Sequence, residues 1–149
     1  YKHWDFIGGI AHTHALYSVS WAQSQKDIPI FGTTHADHLT HDIPCTPPLD
    51  DALIKGNYEH NTGIQIVNYF TEKGLNPNEI EMILIGNHGP FCWAKDAGNA
   101  VYNARVLEEI AHMAYLTLQI NPAAKRLKDS LIKKHYERKH GDEAYYGQE

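Results

Sequence analysis

Asp5-Phe-Ile-Gly-Gly-Ile-Ala-His-Thr-His14 is the stretch on which the fold turns. It reads as a short strand near the start of the chain, buried to judge by Ile10 and Ala11. A strand has a side-chain period of two, so His12 and His14 project from one face at its end. Two imidazoles so placed can close on one metal ion. Alternating histidines on a solvated strand edge are the plainer alternative. A single strand makes no sheet, so its partners must lie further along the chain or outside it.

Working outward, Ala15 to Lys26 carries Leu16, Val19 and Ala22 at helical spacing and reads as a helix leaving that strand. Ile28 to Gly32 is a brief extended piece, and Thr33 to Pro48, rich in Thr, His, Asp and Pro, reads as loop. Glu59 to Lys73 places Ile64, Val67 and Phe70 at three-residue intervals and stops at Gly74, which predicts a helix with a C-terminal glycine. Glu81 to Ile85 predicts a strand, Gly86 to Pro90 a turn and Phe91 to Ala94 a returning strand. Asp96 can cap a long helix ending near Ile120, with Val101, Val106, Leu107, Ile110, Met113 and Ala114 on its apolar side and Asn121-Pro122 as its stop. A charged helix follows from about Arg126 to Lys139, then a polar tail. With no repeat or linker, residues 1–149 read as a single α/β domain.

Composition limits what such a domain does. The 149 residues are 42% hydrophobic and 21% charged with a net charge of -5, too apolar and too weakly charged for a disordered chain. No apolar run approaches the ~20 residues of a membrane-spanning helix. A pI near 6.1 without a basic stripe argues against nucleic-acid binding. Tyr1-Lys-His-Trp-Asp5 lacks the pattern of a secretory leader. Cys45 and Cys92 lack metal or redox spacing and read as packing residues, so a cytoplasmic setting is expected.

The 11 histidines are an unusually heavy load of the commonest metal-ligand side chain. His88 stands in Gly86-Asn-His-Gly-Pro90, directly after an apolar strand, where glycines let the backbone turn sharply and aim a side chain into a cavity. Together with His12 and His14 it makes the nitrogen-rich set of a catalytic metal with an open position. Asp37, in Gly32-Thr-Thr-His-Ala-Asp-His38, reads as a proton-transfer group, a metal ligand or a helix cap, and loop composition favours the cap. His35, His38 and His41 in the same loop fit plain surface histidines. His135 and Arg138 share a face of the last helix and can bind an anion, although such faces are usually solvated. Glu59 is similarly open. In the tail, one of two adjacent tyrosines can reach an active site, or the tail packs on a neighbouring surface.

Ile7-Gly-Gly-Ile-Ala-His-Thr-His14, Gly32-Thr-Thr-His-Ala-Asp37, Ile43-Pro-Cys-Thr46, Asn87-His-Gly-Pro-Phe91, Lys139-His-Gly141 and Ala144-Tyr-Tyr-Gly-Gln148 together closely resemble the class II aldolase/epimerase family, across nearly the whole chain. The Thr-Thr-His-Ala-Asp and Tyr-Tyr-Gly-Gln pieces point to its sugar-phosphate 4-epimerase branch. The His-x-His and Asn-His-Gly-Pro pieces are shared with its aldolases. The resemblance implies an α/β fold with a central, mainly antiparallel sheet flanked by helices. It implies Zn2+ held by His12, His14 and His88, with Asp37 and Tyr146 as the acid–base pair and Thr33 and His135 beside the substrate. It also implies a cyclic homotetramer in which Asp37 and Tyr146 serve a neighbouring subunit's site. The implied reaction interconverts L-ribulose 5-phosphate and D-xylulose 5-phosphate by C3–C4 cleavage and re-addition, as in pentose catabolism such as that of L-arabinose. The family continues roughly eighty residues ahead of Tyr1, holding the phosphate pocket and an acidic fourth ligand, so the chain is expected to be the C-terminal part of a longer domain. An aldolase of the same family and a non-catalytic metal-binding or oligomerisation module are the alternatives.

Overall fold

The computed structural model describes residues 1–141, 144 and 145. Four strands form one sheet in the order β1-β4-β3-β2: β1 (Gly9–His12), β2 (Cys45–Thr46), β3 (Met82–Ile85) and β4 (Gly89–Ala94). β1 pairs antiparallel with β4, and β4 antiparallel with β3, while β2 runs parallel to β3. The sheet is thus mainly antiparallel, as expected. The main helices are α1 (Leu16–Ser24), α4 (Tyr58–Lys73), α5 (Ala97–Ile120) and α6 (Asp129–His140). Two single turns, α2 (Thr33–Ala36) and α3 (Asp51–Ile54), lie between them.

The Met-Ile-Leu-Ile sequence of β3 shows why the fold has three layers. All four residues are buried, and alternate ones enter different cores. Met82 and Leu84 join Trp21 and Ala22 of α1 and Leu107, Ile110 and Ala111 of α5. Ile83 and Ile85 join Ile66 and Phe70 of α4 together with Ile7 and Trp93. The sheet therefore lies between α1 and α5 on one face and α4 on the other, a strand buried on both sides reading as a continuous apolar run. A small third cluster of Ile30, Ala36 and Ile132 fastens α6 to α2.

Two features bring β1 to its place. A Cβ on Gly8 would collide with the carbonyl of Lys95, and one on Gly9 would lie 2.5 Å from the backbone of Ala97. Only glycines let the chain pass that close to the β4–α5 corner. The ladder then runs from Gly9 opposite Ala94 to His12 opposite Phe91.

The capping predictions hold. Asp96 accepts from the Asn99 N–H at 2.8 Å, the α5 terminus falls at Asn121, and Gly74 closes α4 with φ +63°. Other expectations need correction. β1 is an edge strand, so Ile10 is 43% exposed. On α5, Val101 and Met113 face outward, the buried stripe being Ala100, Ala104, Leu107, Ile110, Ala111 and Ala114. On α1 the buried residues are Ser18, Trp21 and Ala22, with Leu16 exposed. The 33–48 segment is not wholly loop, because it contains α2 and β2.

Nor is His35 a surface residue. Only 4% exposed, it donates its Nε2 proton to the His41 carbonyl at 3.1 Å. Burial pushes its pKa down to about 4, so it is neutral in the fold. Between that value and the ordinary 6.5 the unfolded chain binds the extra proton, so stability falls as the pH drops through this window. In the metal-free protein the loss amounts to roughly 3 kcal/mol by pH 4. Denaturant unfolding from pH 7.5 to 4 should show it, and His35→Gln should flatten that part of the profile; an equal slope in the variant assigns the loss to other groups.

Candidate metal centre and the Asp37 cluster

The strand end of β1 and the turn into β4 bring His12, His14 and His88 together. Each offers a ring nitrogen, and the three nitrogens lie within 4.8 Å of one another. The ring centroids are 5.0 Å apart for His12–His14, 4.8 Å for His12–His88 and 5.4 Å for His14–His88. The three histidines singled out by spacing thus converge.

Local structure dictates how each ring is held. His12 donates from Nδ1 to the Pro90 carbonyl at 2.8 Å, which leaves Nε2 as the free lone pair. Its ring stacks on Phe91, its cross-strand neighbour, at 4.2 Å and 15°. The Nε2 atoms of His12 and His14 are 3.2 Å apart, near the roughly 3.3 Å expected for two imidazoles on one tetrahedral ion with 2.0–2.1 Å bonds. His88 follows Asn87, whose φ of +62° turns the chain sharply. A Cβ on Gly86 would sit 2.5 Å from the Thr46 carbonyl, so this turn also requires its glycine. Nδ1 of His88 and the Tyr58 hydroxyl form a hydrogen bond of 3.1 Å, which leaves Nε2 as its other nitrogen.

Burial, then the neighbouring His12 and His14 rings, holds the His88 pKa below the ordinary histidine value. Neutral imidazole is the ligating form. His12 and His14 are exposed and His88 half-buried, so the cluster opens to solvent. Three neutral nitrogen donors, two of them oriented through their second nitrogen, suit a divalent transition metal with an accessible position. An apolar cleft of about 290 Å³ lies beside the cluster instead of around it, lined by Trp4, Ile10, Ile66, Phe91 and Trp93 with Glu59 at its edge.

Asp37 belongs to a different assembly: it is a cap residue, closing α2 through its backbone N–H, but its carboxylate serves other partners. It stands at the C-terminal end of α2, and its carboxylate faces α6. Oδ1 accepts from His135 Nδ1 at 2.8 Å, both oxygens accept from Arg138 Nη2 at 3.0 Å, and Lys139 Nζ lies 3.7 Å away. His140 reaches the Asp37 carbonyl at 2.9 Å. Burial acts to raise the Asp37 pKa, but hydrogen bonds from His135 and Arg138 and the Lys139 charge outweigh it and hold the carboxyl below its ordinary value. The His135–Arg138 face of α6 is therefore not simply solvated: it binds an anion, and the anion is Asp37.

Among the described residues, Asp37 shares no hydrogen bond, ion pair or ring contact with the imidazole cluster. Thr33 opens α2 one turn before Asp37 and is half-buried. Tyr146 lies outside the described residues. The Tyr145 N–H does donate to the Arg138 carbonyl at 3.1 Å, so the chain just ahead of Tyr146 is tied to the arginine that holds Asp37. Sequence reasoning missed Tyr58 and Lys139. The Lys139-His-Gly141 string held a signal for the second, since a lysine one residue beyond Arg138 adds charge beside the same face, but nothing local marks Tyr58.

Comparison with known proteins agrees with this architecture. Residues 1–115 match the model of the Class II Aldolase and Adducin N-terminal domain. The chain is 46% identical over 148 residues to proteins named L-ribulose-5-phosphate 4-epimerase UlaF from Salmonella paratyphi B and Salmonella paratyphi C. The match covers 99% of this chain and 64% of each relative, so the chain spans somewhat under two thirds of their length. Among solved structures, an L-fuculose 1-phosphate aldolase superposes with a TM-score of 0.61 at 17% identity, over 87% of this chain and 54% of that one. The L-fuculose 1-phosphate aldolase from Glaciozyma antarctica PI12 gives 0.63 at 14% identity, over 92% and 46%. At those identities the likeness is one of fold. With three imidazoles gathered at the β1 end on this sheet, and a family match over most of its length, the chain belongs to the class II aldolase and adducin N-terminal domain family.

Proposed function

We propose that the protein is a zinc-dependent 4-epimerase acting on L-ribulose 5-phosphate and D-xylulose 5-phosphate, in pentose catabolism and in the cytoplasm. The observation that carries this reading is the convergence of His12, His14 and His88 on one point. The relatives' name supports the choice of substrate. Among the described residues no helix is long and apolar enough to cross a membrane.

C4 of the sugar carries a hydroxyl and is not acidic enough for direct deprotonation, so inversion there goes through C3–C4 cleavage. A base takes the C4 hydroxyl proton, the C3–C4 bond breaks, and glycolaldehyde phosphate separates from a three-carbon fragment that keeps the electron pair. The aldehyde turns to present its other face, the bond re-forms, and an acid returns a proton to the new C4 oxygen. His12, His14 and His88 would hold a zinc ion, which when bound would supply Lewis acidity toward the C2 carbonyl.

The chain's own groups do the rest. His12 and His88 are each held through Nδ1, by the Pro90 carbonyl and the Tyr58 hydroxyl, which leaves Nε2 of each for a ligand. Two proton-transfer groups are required, one per face, and we assign them to Asp37 and Tyr146. Asp37 is a carboxylate, ionised at neutral pH as a base must be, and His135 and Arg138 hold it in that form. That the partners of this carboxylate, among the described residues, all lie on α6 and none in the imidazole cluster favours action at the site of another copy, as in a cyclic homotetramer. Thr33 and His135, both beside Asp37, are assigned to substrate contact. A same-family aldolase, which releases the aldehyde, is the second reading, favoured by the fold neighbours. A non-catalytic metal-binding or oligomerisation module is the third.

Two measurements separate them. Zinc-loaded protein should interconvert the two pentulose phosphates, and chelation or His12→Ala should abolish both bound zinc and turnover. Free glycolaldehyde phosphate without epimer would select the aldolase reading, and zinc binding with neither product, in the chain extended to its relatives' length, would select the module. Asp37→Asn should lower turnover by about 100-fold or more while zinc stays bound; full activity in that variant removes its assigned role.

A further inference from the structure

Helix α1 begins just beyond His14, and its N-terminus is not capped from within. Ala15 stands at the N-cap with no side-chain hydrogen bond, and the first turn carries no acidic residue. The Tyr17 and Ser18 N–H groups of that turn are met instead from α5. Glu108 Oε1 accepts from the Tyr17 N–H at 2.9 Å, while Oε2 accepts from the Ser18 N–H at 2.9 Å and from the Ser18 hydroxyl at 2.8 Å. Ser18 is fully buried, so without Glu108 two backbone donors and a hydroxyl lose their charged acceptor beside a protein interior. A carboxylate at a helix N-terminus also meets the positive end of the helix dipole.

The other end of α1 holds the turn that carries His88. The Ala22 carbonyl accepts from the Asn87 N–H at 2.9 Å, and the Gln25 amide donates to Asn87 Oδ1 at 3.1 Å. Val19 also lies where a Cβ on Gly89 would meet it, at 3.4 Å, just after His88. α1 is therefore a strut whose start follows directly on His14 and whose end grips the residue before His88. We propose that Glu108 is a positioning residue for the metal centre: by fixing the first turn of α1 it sets the spacing between the His14 and His88 rings. The Trp21 indole N–H, which donates to the Ala111 carbonyl at 3.0 Å, is a second α1–α5 tie, but it leaves the first turn untouched.

This inference rests on the metal-centre reading, and the experiment distinguishes the two. Co2+ is titrated into the metal-free chain against a competing chelator, below the melting midpoint of every variant, with the visible Co2+ spectrum recorded. Glu108→Gln should bind Co2+ about 10-fold more weakly with altered ligand-field bands. Adding Ala15→Ser, which restores a cap from within the helix, should recover most of that loss. Trp21→Phe should lower the melting midpoint without changing Co2+ affinity. Unchanged affinity and spectrum in folded Glu108→Gln overturns the proposal. So does a loss that Ala15→Ser leaves in place, or one that Trp21→Phe reproduces. If Glu108→Gln does not fold, Glu108→Asp carries the same comparison. Failure of the parent chain to bind Co2+ overturns the metal-centre reading, and this one with it.

Discussion

The register of β1 against β4 is the constraint on which the rest depends. His12 faces Phe91 across the ladder, His14 follows two residues on, and His88 immediately precedes the first residue of β4. One pairing thus fixes all three rings. Because side chains alternate along a strand, a slip of one residue would send His12 and His14 to the opposite face. Gly8 and Gly9 enforce the register sterically, since no other residue lets β1 approach the backbone at Lys95 to Ala97. The His12–Phe91 stack and the His12–Pro90 hydrogen bond reinforce it from the side-chain layer.

Much of this was legible in the sequence, for reasons that differ by element. α4 and α5 were readable because their ends carry chemistry: Gly74 in the left-handed region, Asp96 as an acceptor, Pro122 as a stop. β3 and β4 were readable from an apolar run bounded by glycine and proline. β2, α2 and α3 were not, because two- to four-residue elements exist only through partners distant in sequence, as with Cys45 beside Leu84. The faces of α1 and α5 were read too generously. Val101 and Leu16 satisfy a helical period, but which side of that period meets the sheet is decided by the sheet.

The site divides along the same line. His12, His14 and His88 were legible because their spacing and the glycine turn are local facts. Tyr58 was not, since it reaches His88 only because α4 packs across one face of the sheet while the turn projects from its end. The environment of Asp37 was equally hidden. The residues that clasp it come from the far end of the chain, and composition alone made a helix cap the better guess.

Asp37 also shows how one carboxylate can bear on two problems. α6 has a meagre apolar attachment, Ile132 against Ile30 and Ala36 with Leu127 at the margin. Charge-assisted hydrogen bonds from His135 and Arg138 to Asp37 add what that small cluster lacks, and they are stronger than neutral ones. Arg138 simultaneously offers its carbonyl to the Tyr145 N–H. Protonating or removing the Asp37 carboxylate thus loosens α6 and, through Arg138, the backbone at Tyr145. The imidazole cluster, held by β1, β4 and α1, stands apart from that linkage. The three-imidazole cluster and the clasp around Asp37 therefore rest on separate supports within one chain, and can fail separately.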